Sequence, residues 1–352
     1  MHTTEALVYK YKNQKLSLEE IKFSDPKPNE VIVKNLFSGL CGSILINLSR
    51  EPKNPELLGH EGTGIILSKG RNVKHVKVGD KVLISWMPYG ANKDTNYLNF
   101  TEFFYKKKKY KSLIYTLSKK SKIHSQFVSK IPNNLNLKNS SIIGCAVISG
   151  YLPIIKNNNI KKNSKVAIFG MGGLGLLAVN GLKRTGVKEI TAIDIDPKKL
   201  SFAKKFGAKN LVNYNDKNFD KKLKKISSFE GFDFIFDYVG SKMIQQKCLA
   251  HLKKCIAGFC TGGSLGIVGF HYDKLEIFPK DLLMNENTIY GIRGGSAIMQ
   301  VDLPKIYKDI KNKKLYLNQI VSDTYKLKDI NNAINKLKNG KILGRSVISI
   351  QN

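Results

Sequence analysis

Acidic residues are scarce: 27 Asp and Glu stand against 59 Lys and Arg, leaving a formal net charge of +32. Such a surplus invites a nucleic-acid partner, because lysine-rich surfaces bind phosphate non-specifically. The charge is nevertheless spread along the whole chain, is mostly lysine and accompanies many asparagines and isoleucines. That is the pattern of a compositional drift, and no specific nucleic-acid partner is expected. The one dense run, Tyr105 to Lys111, reads as a solvated loop. Long apolar runs are missing as well. The most apolar segment, KVAIFGMGGLGLLAVNGL, is broken by glycine and too short to span a bilayer, and the opening MHTTEALVYKYK has no secretory apolar core. No membrane partner and a soluble, cytoplasmic protein are therefore expected. Cysteine is sparse and odd in number, with Cys41, Cys145, Cys248, Cys255 and Cys260, which argues against a disulfide framework. Cys248, Cys255 and Cys260 have no C-x-x-C spacing and are expected to be small buried residues. Internal repeats and low-complexity linkers are absent too.

What is present is length and a change of rhythm. At 352 residues, 42% of them hydrophobic, the chain is long enough for two domains. Up to about residue 150, short β-branched runs such as ALVYKY, EVIVKNLFSGL, GTGIILSKG and DKVLISWM alternate with turn residues, which predicts a mostly β domain. From about residue 164, strand-length and helix-length segments alternate: SKVAIFG, LGLLAVNGLKRTG, EITAID, DPKKLSFAKKFGA, NLVNY. This predicts an α/β domain with a doubly wound parallel sheet. Near the end, LKDINNAINKLKNG reads as an amphipathic helix with a glycine stop, followed by a last strand, RSVISI.

Gly170, Gly172 and Gly175 form a G-x-G-x-x-G pattern between a predicted strand and a predicted helix, with Gly173 and Leu174 completing the loop. The first glycine makes the tight turn, the second admits a pyrophosphate and the third lets the helix pack on the strand, with the helix N-terminal amides aimed at the phosphates. The next strand ends at Asp194, where a carboxylate accepts hydrogen bonds from an adenosine ribose and repels a 2′-phosphate. NAD is favoured over NADP. Lys198 and Lys199 just beyond soften that preference, since a cation there suits either a ribose or a phosphate.

A second constellation lies in GLCGSILINLSREPKNPELLGHEGTG, where Cys41, His60 and Glu61 offer metal-ligand atoms. Two soft ligands do not make a catalytic zinc site, which takes three protein ligands and keeps a fourth position open. Cys145, in SIIGCAVISGY, reads by itself as a buried cysteine. In order, however, the C…GHE stretch, the G-C-x-x-x-S-G stretch and the G-x-G-G-x-G loop resemble the zinc-dependent alcohol dehydrogenases of the medium-chain dehydrogenase/reductase family. The resemblance extends to VKVGDKV at Val76 to Val82, AKKFGA at Ala203 to Ala208 and the closing NGKILGRSVISI.

The resemblance implies a GroES-like, mostly β catalytic domain over residues 1–150 completed by 291–352, and a Rossmann domain over 151–290. It implies one catalytic zinc held by Cys41, His60 and Cys145, with Glu61 as a carboxylate able to approach the metal. Two thiolates and an imidazole suit Zn²⁺ at roughly 2.0–2.3 Å, and the open position polarises a hydroxyl or carbonyl. Ser43 corresponds to the hydroxyl that starts a proton relay, Ser149 to a small hydroxyl residue against the nicotinamide, Asp194 and Lys199 to the adenosine-ribose pair, and Arg345 to a basic residue near the cofactor phosphates; an ordinary turn serine and a surface residue on the last strand are the other readings open for Ser43 and Arg345. Trp86 falls where a bulky residue narrows the substrate pocket, and core packing is the other reading open for it. His75, His124, His251 and His271 match no ligand position and are expected to be structural or exposed.

Three departures stand out. The four-cysteine lobe that holds a structural zinc is absent, since Met87 to Ser112 contains no cysteine; no structural zinc is expected. Ile44 stands where many relatives carry an aspartate that supports the ligand histidine. Ile46 leaves a relay histidine without a counterpart. The leading expectation is hydride transfer between a small alcohol, or its aldehyde or ketone, and NAD, in a homodimer or homotetramer. A zinc-independent quinone or enoyl reductase of the same superfamily and a non-catalytic cofactor-binding protein remain alternatives. Nothing near Trp86 or Tyr89 selects one alcohol, although IYGIRGGS offers Arg293 to an anionic substrate.

Overall fold

Side chains branched at Cβ pack well on a pleated, half-buried surface, and the β-branched runs of the first 130 residues accordingly form strands. The computed structural model describes residues 1–90, 98–255, 261–271 and 273–351. Cys260 and residues 91–97 of the cysteine-free stretch after Trp86 lie outside the described residues. The chain divides into a first unit of Met1–Ala146, Ala297–Lys311 and Leu317–Asn352, and a second of Val147–Ser296 and Asn312–Tyr316.

The first unit carries two sheets. The larger is centred on Glu30–Gly39, which is flanked by Glu61–Lys69 and by the last strand, Arg345–Ser349, both antiparallel to it. Val31, Ile32 and Val33 are all buried rather than alternating, because this central strand is covered on both faces. On one side Val31 and Val33 join Ala6, Ile21, Ile66 and Phe103 in an apolar core. At the edge of the smaller sheet, Lys108–Ser112 pairs with Thr101–Tyr105. The basic run Tyr105 to Lys111 is thus a β-hairpin, with Lys106 and Lys107 at positive φ in its turn, where a loop was expected. Tyr105 is buried and Tyr110 packs against the core, so its aromatic residues anchor the hairpin while most of its lysines face solvent.

The second unit holds six parallel strands in the order Asn210–Asn213, Glu189–Asp194, Lys165–Phe169, Phe234–Asp237, Ser264–Ile267 and Thr288–Gly291. The order reverses direction between Lys165–Phe169 and Phe234–Asp237, the switch point at which doubly wound sheets bind ligands. Val166, Ala167, Ile168 and Phe169 are all buried, as befits a strand covered by helices on both faces. The helix Gly173–Thr185 starts at Gly172 and is stopped by Gly186 at φ 84°.

Helix Met299–Lys311 runs through Pro304, and sequence periodicity did not predict it. Proline interrupts the helical hydrogen-bond ladder, and here burial of Met299, Leu303 and Ile306 outweighs that cost. Among the described residues no helix is long and apolar enough to cross a membrane.

Candidate active site

Strand Glu30–Gly39 runs into Cys41, strand Glu61–Lys69 begins just after His60, and Cys145 sits in a π-helical turn at Ile143–Val147. The antiparallel pairing of the two strands sets Ser38 opposite Gly62, which brings the Cys41 and His60 ends together. The Cys145 segment is anchored by Ser85 Oγ, which donates to Gly144 O at 2.7 Å, and by Ala146 N, which donates to Glu61 Oε2 at 3.1 Å. The result is a cluster in which Cys41 Sγ lies 3.9 Å from Cys145 Sγ and His60 Nε2 lies 3.3 Å from Cys145 Sγ. Ligand atoms of Cys41, His60, Glu61 and Cys145 all lie within 4.8 Å of one another. It is the one such group of potential metal ligands among the described residues.

The electrostatics favour one ready thiolate. The hydrogen bond from Cys145 holds the Cys41 thiol well below its ordinary range against the cost of burial, with His60 helping. The same bond, with burial, pushes Cys145 well up. Burial opposes a charge on His60, but hydrogen bonding to Cys41 and the thiolate charge override it and raise its pKa. Burial pushes Glu61 up to about 7, opposed by the charge of Arg345.

Arg345 is where the structure departs most from the sequence reading. Its side chain is buried at the start of the last strand and its guanidinium pairs with Glu61 Oε1. Its guanidinium is therefore held by the carboxylate beside Cys41, His60 and Cys145 rather than standing at the surface, and its buried Nε has no hydrogen-bond partner among the described residues. No sequence signal reveals this pair, because the two residues are 284 positions apart. Gly39 was also missed. A Cβ there would stand 2.6 Å from Glu61 Cδ, so only glycine leaves room for that carboxylate.

Ser43 opens the short helix Ser43–Ser49, and its Oγ is buried with no hydrogen-bond partner. Trp86 is half-buried just after strand Lys81–Ser85. The four histidines expected to be structural make structural contacts. His75 stacks on Tyr89, His124 caps a short helical turn, His251 pairs with Asp220 and His271 bonds to Gln245. Cys248 and Cys255 are buried.

In the second unit Asp194 closes its strand and braces the glycine loop. Its Oδ2 accepts from Met171 N at 2.7 Å and its Oδ1 from Asp196 N at 2.9 Å. A Cβ on Gly175 would stand 1.8 Å from Gly170 O, whereas one on Gly172 would meet nothing within 4 Å. Gly175, the third glycine of the motif, is needed for helix–strand packing; Gly172, the second, faces open space. Lys199 is half-buried on helix Pro197–Phe206, Ser149 is buried in Ile148–Gly150, and Arg293 is exposed after the edge strand Thr288–Gly291.

Residues 27–108 match the family described as alcohol dehydrogenase GroES-like domain, and residues 173–311 match the zinc-binding dehydrogenase family. The chain is 31% identical to alcohol dehydrogenase class-2 isozyme 2 of Oryctolagus cuniculus, over 93% of this chain and 92% of that protein. It is 29% identical to alcohol dehydrogenase 6 of Peromyscus maniculatus, over 93% of each chain. In fold it is similar to benzyl alcohol dehydrogenase from Acinetobacter calcoaceticus, with a TM-score of 0.86, 24% identity and coverage of 99% of this chain and 100% of that one.

Proposed function

The chain belongs to the zinc-type alcohol dehydrogenases of the medium-chain dehydrogenase/reductase family, and from that premise we propose that this alcohol/aldehyde oxidoreductase depends on zinc and NAD. The observation that carries the zinc reading is the cluster of Cys41, His60 and Cys145 with Glu61 beside it, a donor set that suits Zn²⁺. For the cofactor, the supporting observations are the open space at Gly172 and the carboxylate of Asp194 at the end of the adjoining strand.

When bound, zinc supplies Lewis acidity that lowers the pKa of a hydroxyl, to about 7 for water, and the nicotinamide supplies a hydride acceptor. The remaining tasks fall to the chain. Cys41, His60 and Cys145 hold the metal as two thiolates and an imidazole. Glu61, fixed by Arg345 and the amide of Ala146, stays beside them without being a required ligand. Ser43 Oγ is buried and unpartnered, which leaves it able to accept the substrate's hydroxyl proton and pass on its own. Trp86 would narrow the substrate pocket towards small or slender alcohols, and Ser149 would stand against a bound nicotinamide.

The amides at the start of helix Gly173–Thr185, with Gly173 and Leu174 in the loop, would bind the pyrophosphate. Asp194 and Lys199 would hold the ribose, and Arg345 Nε would be the donor left over for a phosphate. A cytoplasmic homodimer or homotetramer with a single zinc per chain completes the reading.

Metal content on freshly purified protein is the direct test. We expect about one zinc per chain and almost none in Cys145→Ala, with NAD-linked alcohol oxidation lost on chelation. A parent without zinc would move the zinc-independent reductase chemistry to the front.

A further inference from the structure

A histidine that ligates a metal almost always donates its other ring N–H to a carboxylate, a carbonyl or a water, which fixes the tautomer and the ring orientation. With Ile44 in place of an aspartate, His60 has no such carboxylate. His60 Nε2 faces the cluster, and Nδ1 makes no hydrogen bond within the described residues.

Beside it lies a small cavity whose lining includes Cys41, Ser43, Ile44, Asn47, Gly59 and His60. Its volume, about 10 Å³, is close to the roughly 10–15 Å³ that one water needs. One of its polar groups is buried without a partner among the described residues, Ser43 Oγ, and the half-buried Asn47 amide makes no side-chain hydrogen bond to the protein there. Ser43 and Asn47 are one helical turn apart on Ser43–Ser49, so their side chains share a face. A buried water is stable where it finds two to four polar partners, and Ser43, Asn47 and His60 are three.

We propose that Asn47 is a positioning residue for the ligand histidine: its amide and the Ser43 hydroxyl hold one water, which accepts the Nδ1–H of His60. The water donates one hydrogen to Asn47 Oδ1 and the other to Ser43 Oγ. This keeps His60 in the tautomer whose Nε2 lone pair faces Cys41 and Cys145, the task a carboxylate at position 44 would perform. The proposal rests on the zinc reading above.

Asn47→Leu is expected to weaken zinc binding about 10- to 100-fold, measured by chelator competition on the metal-loaded protein, and to shift the visible absorption of the cobalt-substituted form. Ile44→Asp added to Asn47→Leu supplies a direct acceptor for Nδ1–H and is expected to restore most of the zinc affinity and the parent cobalt spectrum. A residue that only supported the fold would not be rescued in this way. Zinc affinity unchanged in Asn47→Leu, or a loss that Ile44→Asp leaves unrepaired, overturns the proposal. Should Asn47→Leu fail to fold, Asn47→Ala is read against the same rescue. A parent that takes up no zinc overturns both this proposal and the zinc reading, so the two failures are told apart.

Discussion

Gly172 and Gly175 belong to one turn, yet a methyl group on each meets opposite surroundings. On Gly175 it would stand 1.8 Å from Gly170 O and 3.0 Å from Gly170 C. Helix and strand would have to move apart, and overpacking of this severity costs on the order of 3 kcal/mol. At about 2–4 °C per kcal/mol for a domain of roughly this size, that is a fall of about 6–12 °C in the unfolding midpoint. On Gly172 the methyl meets nothing, and φ −74°, ψ −172° suits any residue. Alanine is a poorer N-cap than glycine by roughly 1 kcal/mol, offset by roughly 0.4–1 kcal/mol from a less flexible unfolded chain. Stability should therefore fall by no more than about 0.6 kcal/mol. Cofactor binding should not be spared. Losing one amide bond to a charged phosphate costs about 1.5–3 kcal/mol, which is roughly 10- to 150-fold in Kd. Thermal unfolding and NADH fluorescence titration of the two alanine variants separate these effects. Gly172→Ala with parental NADH affinity would refute the assignment of that open space to a pyrophosphate, and Gly175→Ala as stable as the parent would refute the packing.

Two further outcomes follow from the buried pair beneath the cluster. In metal-free protein well above pH 7, where Glu61 is ionised, Arg345→Leu leaves its buried carboxylate uncompensated and should destabilise the protein by up to about 3–5 kcal/mol in chemical denaturation; a loss below about 1 kcal/mol, the scale of an exposed pair, would mean the pair is solvated. In metal-free protein Glu61, pushed up to about 7 from 4.5, takes up a proton on folding. The stability this brings is fully present below pH 4.5 and is lost as the pH rises through about 7. Glu61→Gln should flatten that part of the dependence of the unfolding midpoint on pH, and an unaltered slope would assign it to other groups.

Local demands are written in local sequence. Strand, glycine turn, helix and terminal Asp194 follow one another over a few dozen residues because each element's period and each turn's steric limits act on neighbours in the chain. The strands and the amphipathic helix Ile330–Lys338 were legible for the same reason. Cys41 and His60 could be paired from one stretch, whereas Cys145 is 104 residues beyond Cys41 and read as an ordinary buried cysteine until a family resemblance gave it a place.

Elsewhere local signals misled. Pro304 hid a helix that tertiary burial sustains, and four consecutive lysines masked a hairpin anchored by Tyr105 and Tyr110. The Arg345–Glu61 pair and the requirement for glycine at position 39 were decided by tertiary structure alone. The last strand reaches the cluster by lying antiparallel against Glu30–Gly39, and no local periodicity encodes which distant strand a sheet edge accepts. Hydrophobic pattern and turn chemistry thus determined the elements and the glycine loop, while strand pairing across some three hundred residues decided what surrounds Cys41, His60 and Cys145, because burial and charge compensation depend on neighbours in space.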